Sequence, residues 1–137
     1  MKADESTYQN LRWFKAREFN HPYKMDHDFL WWLDAVRDAA GVSFVITSDF
    51  RTHIPIGGYS QSLHLVGRAV DIRYPWLGPK FTDGRKLAKI TEAIVQTPRP
   101  VTAGGYEFGI EHGAPGGAHL HIGLYPEDRP ESYVFAR

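Results

Sequence analysis

Two short segments concentrate the groups that could do chemistry: Ser62-Leu63-His64-Leu65-Val66-Gly67-Arg68-Ala69-Val70-Asp71-Ile72 and His119-Leu120-His121-Ile122-Gly123-Leu124. Imidazoles and a carboxylate are the ligand types of a catalytic zinc site, where three protein ligands leave a tetrahedral ion one open position. A structural zinc site would normally close its shell with thiolates, and the chain has no cysteine. In the second segment Leu120, Ile122 and Leu124 alternate with His119, His121 and Gly123. The alternation predicts a strand that buries its aliphatic side chains on one face and turns both histidines to the other. In the first segment the same argument puts Val70 and Ile72 on one face of a strand and Asp71 on the opposite face, with Gly67 turning the chain after His64.

The run from Ser62 to Ile72 followed by the His-x-His strand resembles the zinc D-alanyl-D-alanine carboxypeptidases and endopeptidases. These are peptidoglycan hydrolases that include many phage endolysins. The animal Hedgehog signalling domain shares that metal scaffold, and the S-L-H-x-x-G-R-A-V-D-I and A-H-I-H patterns are similar there too. The resemblance implies His64, Asp71 and His121 as zinc ligands and His119 as a neighbour that binds or polarises substrate. Ile46-Thr47-Ser48-Asp49-Phe50-Arg51, followed by Gly57-Gly58, is similar to the family's strand and Ser-x-x-Arg motif, which implies Arg51 as the residue that orients substrate. An arginine at the end of a strand beside a metal loop can hold a carboxylate bidentately. The likeness extends weakly upstream to Glu18-Phe19 and Leu33-Asp34-Ala35-Val36-Arg37, so that it spans about residues 18 to 125.

The chain departs from the resemblance at one position. Many bacterial members carry the catalytic acid three residues before the last histidine ligand, where this chain has Ala118. The Hedgehog domain carries its glutamate further upstream, and the equivalent here is Glu111, in Phe108-Gly109-Ile110-Glu111, with Glu107 as the competitor. Glu111 is the expected proton acceptor, because hydrolysis assisted by a metal needs a carboxylate within reach of the attacking water.

The elements that must position these groups follow from periodicity and punctuation. Asp26 is the expected N-cap of a helix in which Phe29, Leu30, Trp32, Leu33, Val36, Ala39 and Ala40 recur at helical spacing before Gly41 ends it. The rings of Trp31 and Trp32 are read as mostly core. A strand is expected over Val42 to Thr47, then an irregular loop from Phe50 to His64 in which His53 is exposed. A second helix is expected from about Asp83 to Gln96, burying Leu87, Ile90 and Ile94 and stopped by Pro98 and Pro100. Tyr106 to Ile110 reads as a strand beside His119 to Tyr125, joined by the glycine-rich link Gly113 to Gly117. The tail from Pro126 to Arg137 is expected to dock loosely or to mediate a contact. Together these give an α+β domain, residues 1 to 137, with a small antiparallel-dominated sheet, helices packed on one side and a zinc cleft on the other.

With 137 residues, 42% of them hydrophobic, the chain can bury one substantial core. Sixteen basic and sixteen acidic residues balance, so there is no electrostatic footprint for nucleic acid or an anionic membrane. The N-terminal residues lack the apolar run of a signal peptide, which implies synthesis in the cytosol. The expected protein is a monomeric zinc peptidase without membrane insertion. The resemblance implies peptidoglycan stem peptides or cross-links as substrate, reached in the cell wall after release or as part of a phage particle. The alternative is a non-catalytic zinc-containing binding or phage structural module on the same scaffold.

Overall fold

The computed structural model describes residues 1–43, 45–53, 62–73, 84–111 and 119–136. The glycine-rich link from Gly113 to Gly117, Ala118, most of the loop before His64 and Asp83, the expected start of the second helix, lie outside them. Among the described residues, three α-helices, α1 (Glu5–Asn10), α2 (His27–Ala40) and α3 (Gly84–Gln96), accompany five strands. The strands are β1 (Ile46–Ser48), β2 (Ala69–Arg73), β3 (Ala103–Glu111), β4 (His119–Pro126) and β5 (Tyr133–Ala136). They form one sheet in the order β1-β2-β4-β3-β5, antiparallel throughout except for β3 and β5, which run parallel. The fold is α+β.

Helix α2 begins and ends where its side chains require. The Asp26 carboxylate accepts from the Phe29 amide, and Gly41 closes the last turn at φ 66°, a conformation that favours glycine. Its apolar stripe, Phe29, Leu30, Trp32, Leu33 and Val36, is buried. Asp34 lies on the same buried side, and its carboxylate accepts the backbone amides of Arg12, Trp13 and Phe14 at 2.9–3.2 Å. A buried carboxylate needs such donors, and here they fasten the N-terminal segment to the helix. The two adjacent tryptophans divide: Trp32 is in the core, whereas Trp31 is exposed and donates its indole N–H to His27 Nε2 at 2.8 Å. Successive helical residues lie about 100° apart, so one stripe cannot take both rings.

The core lies between one face of the sheet and the helices. Val70 and Ile72 of β2, Phe108 of β3 and Leu120, Ile122 and Leu124 of β4 meet Phe29 and Leu33 of α2 and Ile90 and Ile94 of α3. The opposite face carries Asp71, His119 and His121, with a small cluster of Leu63, Ala69 and Tyr125 beside them.

Two expected elements are corrected. The strand read as Val42 to Thr47 is realised as Ile46–Ser48, with the Val45 carbonyl accepting from the Arg73 amide of β2 at 2.8 Å. The tail does not dock loosely. Residues 133–136 pair in parallel with Glu107 to Ile110 as the edge strand β5, against a strand whose glycines clear the way. A Cβ on Gly109 would lie 2.2 Å from the Phe135 carbonyl oxygen, and one on Gly105 would lie 2.3 Å from that of Glu131.

The turn Leu63–Val66 brings His64 over the sheet, and it is closed by Gly67 at φ 70°. A Cβ on Gly67 would stand 2.3 Å from the Lys24 carbonyl oxygen, while its own carbonyl accepts from the Asp26 amide at 2.9 Å. Beside it Arg68 donates to Asp26, to Leu124 O and to Tyr125 O, tying the turn to the start of α2 and the end of β4. Replacing Gly67 with Ala therefore combines a left-handed backbone penalty with a collision against main chain. The Gly67→Ala variant is expected to lose about 2 kcal/mol or more of stability. Urea unfolding checks this, and an unchanged midpoint would contradict it.

Candidate metal centre

Register across the sheet decides what faces what. Asp71 on β2 is the direct partner of His121 on β4, and His121 in turn opposes Gly109 on β3. Ser48 on β1 aligns with Asp71, and Phe135 on β5 aligns with Gly109. One transverse row thus runs Ser48, Asp71, His121, Gly109, Phe135 on the face away from the helices. The next row holds Arg73, His119 and Glu111, and the previous one Ala69, Gly123, Glu107 and Tyr133. His64 comes from outside the sheet, held in its turn by the Ser62 hydroxyl on its amide and by the Arg51 amide on its carbonyl.

His64, Asp71 and His121 are all buried, and one ligand atom from each lies within 4.8 Å of the other two. His64 Nε2 is 3.2 Å and His121 Nδ1 is 3.1 Å from the same oxygen, Asp71 Oδ1. Ligands bonded to zinc at 2.0–2.2 Å in a tetrahedron stand about 3.3 Å apart, so these spacings fit the edges of such a shell.

The outer nitrogens make the fit specific. His64 Nδ1 is 2.7 Å from the Asp49 carbonyl oxygen, which can only accept, so the proton belongs on Nδ1. His121 Nε2 is 2.5 Å from Glu107 Oε1, and that contact likewise requires a proton on Nε2. The inner nitrogens of neutral rings therefore present lone pairs to a carboxylate oxygen. Lone pairs that meet in a buried site repel unless a cation stands among them, either a proton on each ring or a metal ion. The residues present fit zinc.

The same competition governs titration. Burial opposes the charge on Asp71, but hydrogen bonds and charge from His121 and His64 outweigh it and hold the carboxyl far below its usual range. Burial also opposes protonation of His121, yet Asp71 and Glu107 push its pKa up to about 9. Glu107 is held low by His121 and Tyr125 against its burial, and Glu111 is held low chiefly by His119.

The remaining sequence-predicted residues lie around this group. Arg51 Nη2 donates to Asp71 Oδ2 at 2.9 Å and to Ser48 Oγ at 2.8 Å, so part of its guanidinium holds the second oxygen of the carboxylate. His119 Nε2 is 3.6 Å from Asp71 Oδ2 and 3.5 Å from Glu111 Oε2. Glu111 is thus beside His119, whereas Glu107 is engaged with His121 and the Tyr125 hydroxyl. Asp49, Tyr125 and Phe135 were not among the predicted site residues. Alternation along β4 places Tyr125 on the face of His121 and was the available signal for it. Asp49 contributes a main-chain oxygen and Phe135 arrives by long-range pairing, and neither leaves a local pattern.

Stripping the metal should expose the His121 titration. A histidine whose folded pKa is raised contributes stability that is full below about pH 6.5 and disappears as pH climbs through about 9. The chelated protein is therefore expected to lose melting temperature over that interval, and the gain on adding zinc should grow across it. Thermal unfolding with zinc and with chelator checks the sign, and a zinc effect that shrinks with rising pH would contradict it. His64→Ala and His121→Ala are expected to lose zinc and His119→Ala to keep it, as measured by metal analysis.

No curated protein and no solved structure matches the chain. The sequence profile of the peptidase M15 family matches residues 3–99, more than half of the chain, and includes His64 and Asp71; the sheet then brings His121 to them. Members of that family are zinc-dependent metallopeptidases, the activity to which a buried His-Asp-His group is suited, and this chain belongs to the peptidase M15 family.

Proposed function

We propose that the chain is a zinc peptidase that hydrolyses peptidoglycan stem peptides or cross-links, acting as a cell-wall hydrolase of a phage or prophage. The observation that carries the metal assignment is that His64 Nε2 and His121 Nδ1 both lie within 3.2 Å of Asp71 Oδ1, while the outer nitrogens of the two rings face the acceptors Asp49 O and Glu107 Oε1. The substrate class follows from the likeness of the Ser62 to Ile72 and His-x-His segments to the D-alanyl-D-alanine carboxypeptidases and endopeptidases.

His64, Asp71 and His121 would hold the zinc, which would supply Lewis acidity and lower the pKa of a water toward neutrality. The other roles fall to the chain. Arg51, hydrogen-bonded to Ser48 and with about a third of its side chain exposed, is assigned to a substrate carboxylate. Glu111 is ionised and partly exposed, the state required of a group that takes a proton from the attacking water and passes it to the departing amine. His119, between Asp71 and Glu111, is assigned to the oxygen that gains charge as the carbonyl is attacked. In this reading the protein acts as a monomer and engages neither nucleic acid nor a membrane interior; among the described residues no helix is long and apolar enough to cross one.

The test is incubation with purified sacculi, with zinc and with chelator, and identification of new termini by mass spectrometry. Zinc-dependent release of stem-peptide termini is expected. Glu111→Gln should keep its zinc and lose on the order of a hundredfold in rate. A variant that cleaves at near the parent rate would remove Glu111 from the mechanism. A zinc-loaded parent that releases nothing would favour the binding module, which Ala118 at the usual acid position also suits.

A further inference from the structure

Glu107 and Glu111 lie on one face of β3, four residues apart, and either could have been the proton acceptor on sequence grounds. Their surroundings separate them. Glu107 is the direct partner of Gly123 on β4. A Cβ on Gly123 would come within 3.1 Å of Glu107 Cγ, so the absent side chain lets Glu107 lie across β4 toward His121. There Oε1 accepts from His121 Nε2 at 2.5 Å, and Oε2 accepts from the Tyr125 hydroxyl at 2.7 Å. Tyr125 is itself fixed. Its ring is buried against Leu63 and Ala69 and is covered by the Arg129 guanidinium, 4.0 Å from the ring centroid. On another side of the His121 ring stands Phe135, 5.7 Å away between centroids, in the space left by Gly109.

We propose that Glu107 is a positioning residue: backed by Tyr125, it fixes His121 in the tautomer protonated at Nε2 and aims Nδ1 into the His64-Asp71-His121 group. Both of its oxygens are committed to that task, which leaves proton transfer to Glu111. The inference rests on the metal reading given under the proposed function. A carboxylate on the outer nitrogen of a ligating histidine sets the ring's orientation and raises its basicity, and removing such a partner typically weakens metal binding about 10- to 100-fold.

The experiment is a zinc competition titration against a chromogenic chelator for the parent, Glu107→Ala, Glu107→Gln and Tyr125→Phe, with metal-free melting temperatures as the check on folding. Glu107→Ala is expected to weaken zinc binding about 10- to 100-fold and Tyr125→Phe by less. Glu107→Gln still offers an oxygen to His121 Nε2 and should recover most of the affinity, a rescue that loss of packing would not produce. Zinc affinity of Glu107→Ala within about twofold of the parent would overturn the proposal, as would a Gln variant as weak as the Ala variant. Should Glu107→Ala fail to fold, long-range proton–nitrogen NMR of the zinc-loaded parent decides: a proton on His121 Nε2 supports the role, and one on Nδ1 overturns it. A parent that binds no zinc would overturn the metal reading itself, and this role with it.

Discussion

The carboxylate of Asp71, held between the inner nitrogens of His64 and His121, is the interaction on which the arrangement of the site depends. Three buried polar groups brought this close would repel if each kept its lone pairs, and burying an uncompensated carboxylate costs several kcal/mol. The conflict is relieved by a cation among the three groups, either protons on the rings, as the raised His121 pKa reflects, or a metal ion, while the Asp49 carbonyl and the Glu107 carboxylate hold the outer nitrogens. Arg51 on the other oxygen of Asp71 adds a fixed positive charge and steadies the carboxylate without occupying the oxygen that the histidines share.

The two faces of the sheet divide the work. One face buries aliphatic and aromatic side chains against α2 and α3, giving the rigid platform that a site assembled from distant segments needs. The other face is built around missing side chains. Gly109 gives its place to Phe135 and Gly123 gives its place to Glu107, while Gly67 beneath the His64 turn allows the main chain at Lys24 to approach. Each of these glycines lets a neighbour lie where a Cβ would otherwise stand. At Gly109 and Gly123 the neighbours so admitted, Phe135 and Glu107, reach His121 directly.

Two glutamates on one strand show how different the surroundings of identical side chains can be. Glu107 is folded over β4, hydrogen-bonded through both oxygens and largely removed from solvent. Glu111 opposes His119 at the end of the β3–β4 pairing, nearer the solvent. A carboxylate with both oxygens committed orients its partner; one with an exposed edge can exchange a proton.

Much of this protein is written locally. The alternation of Leu120, Ile122 and Leu124 with the histidines determines which way His119 and His121 face, because a strand has a period of two wherever it pairs. Asp26, the stripe from Phe29 to Ala40 and Gly41 determine α2 in the same way, through caps and spacing that need no distant partner. The residue types and alternation pointed to His64, Asp71, His119 and His121 as a group, the family resemblance singled out His64, Asp71 and His121, and the sheet brings those three together. What the sequence could not determine is everything that depends on which strands become neighbours. The parallel docking of Tyr133 to Ala136, the placing of Phe135 beside His121, the reach of Glu107 across Gly123 and the use of the Asp49 carbonyl all join residues far apart in the chain or involve main-chain atoms. Such contacts are chosen by the pairing energy of the whole sheet, and only the assembled tertiary structure decides them.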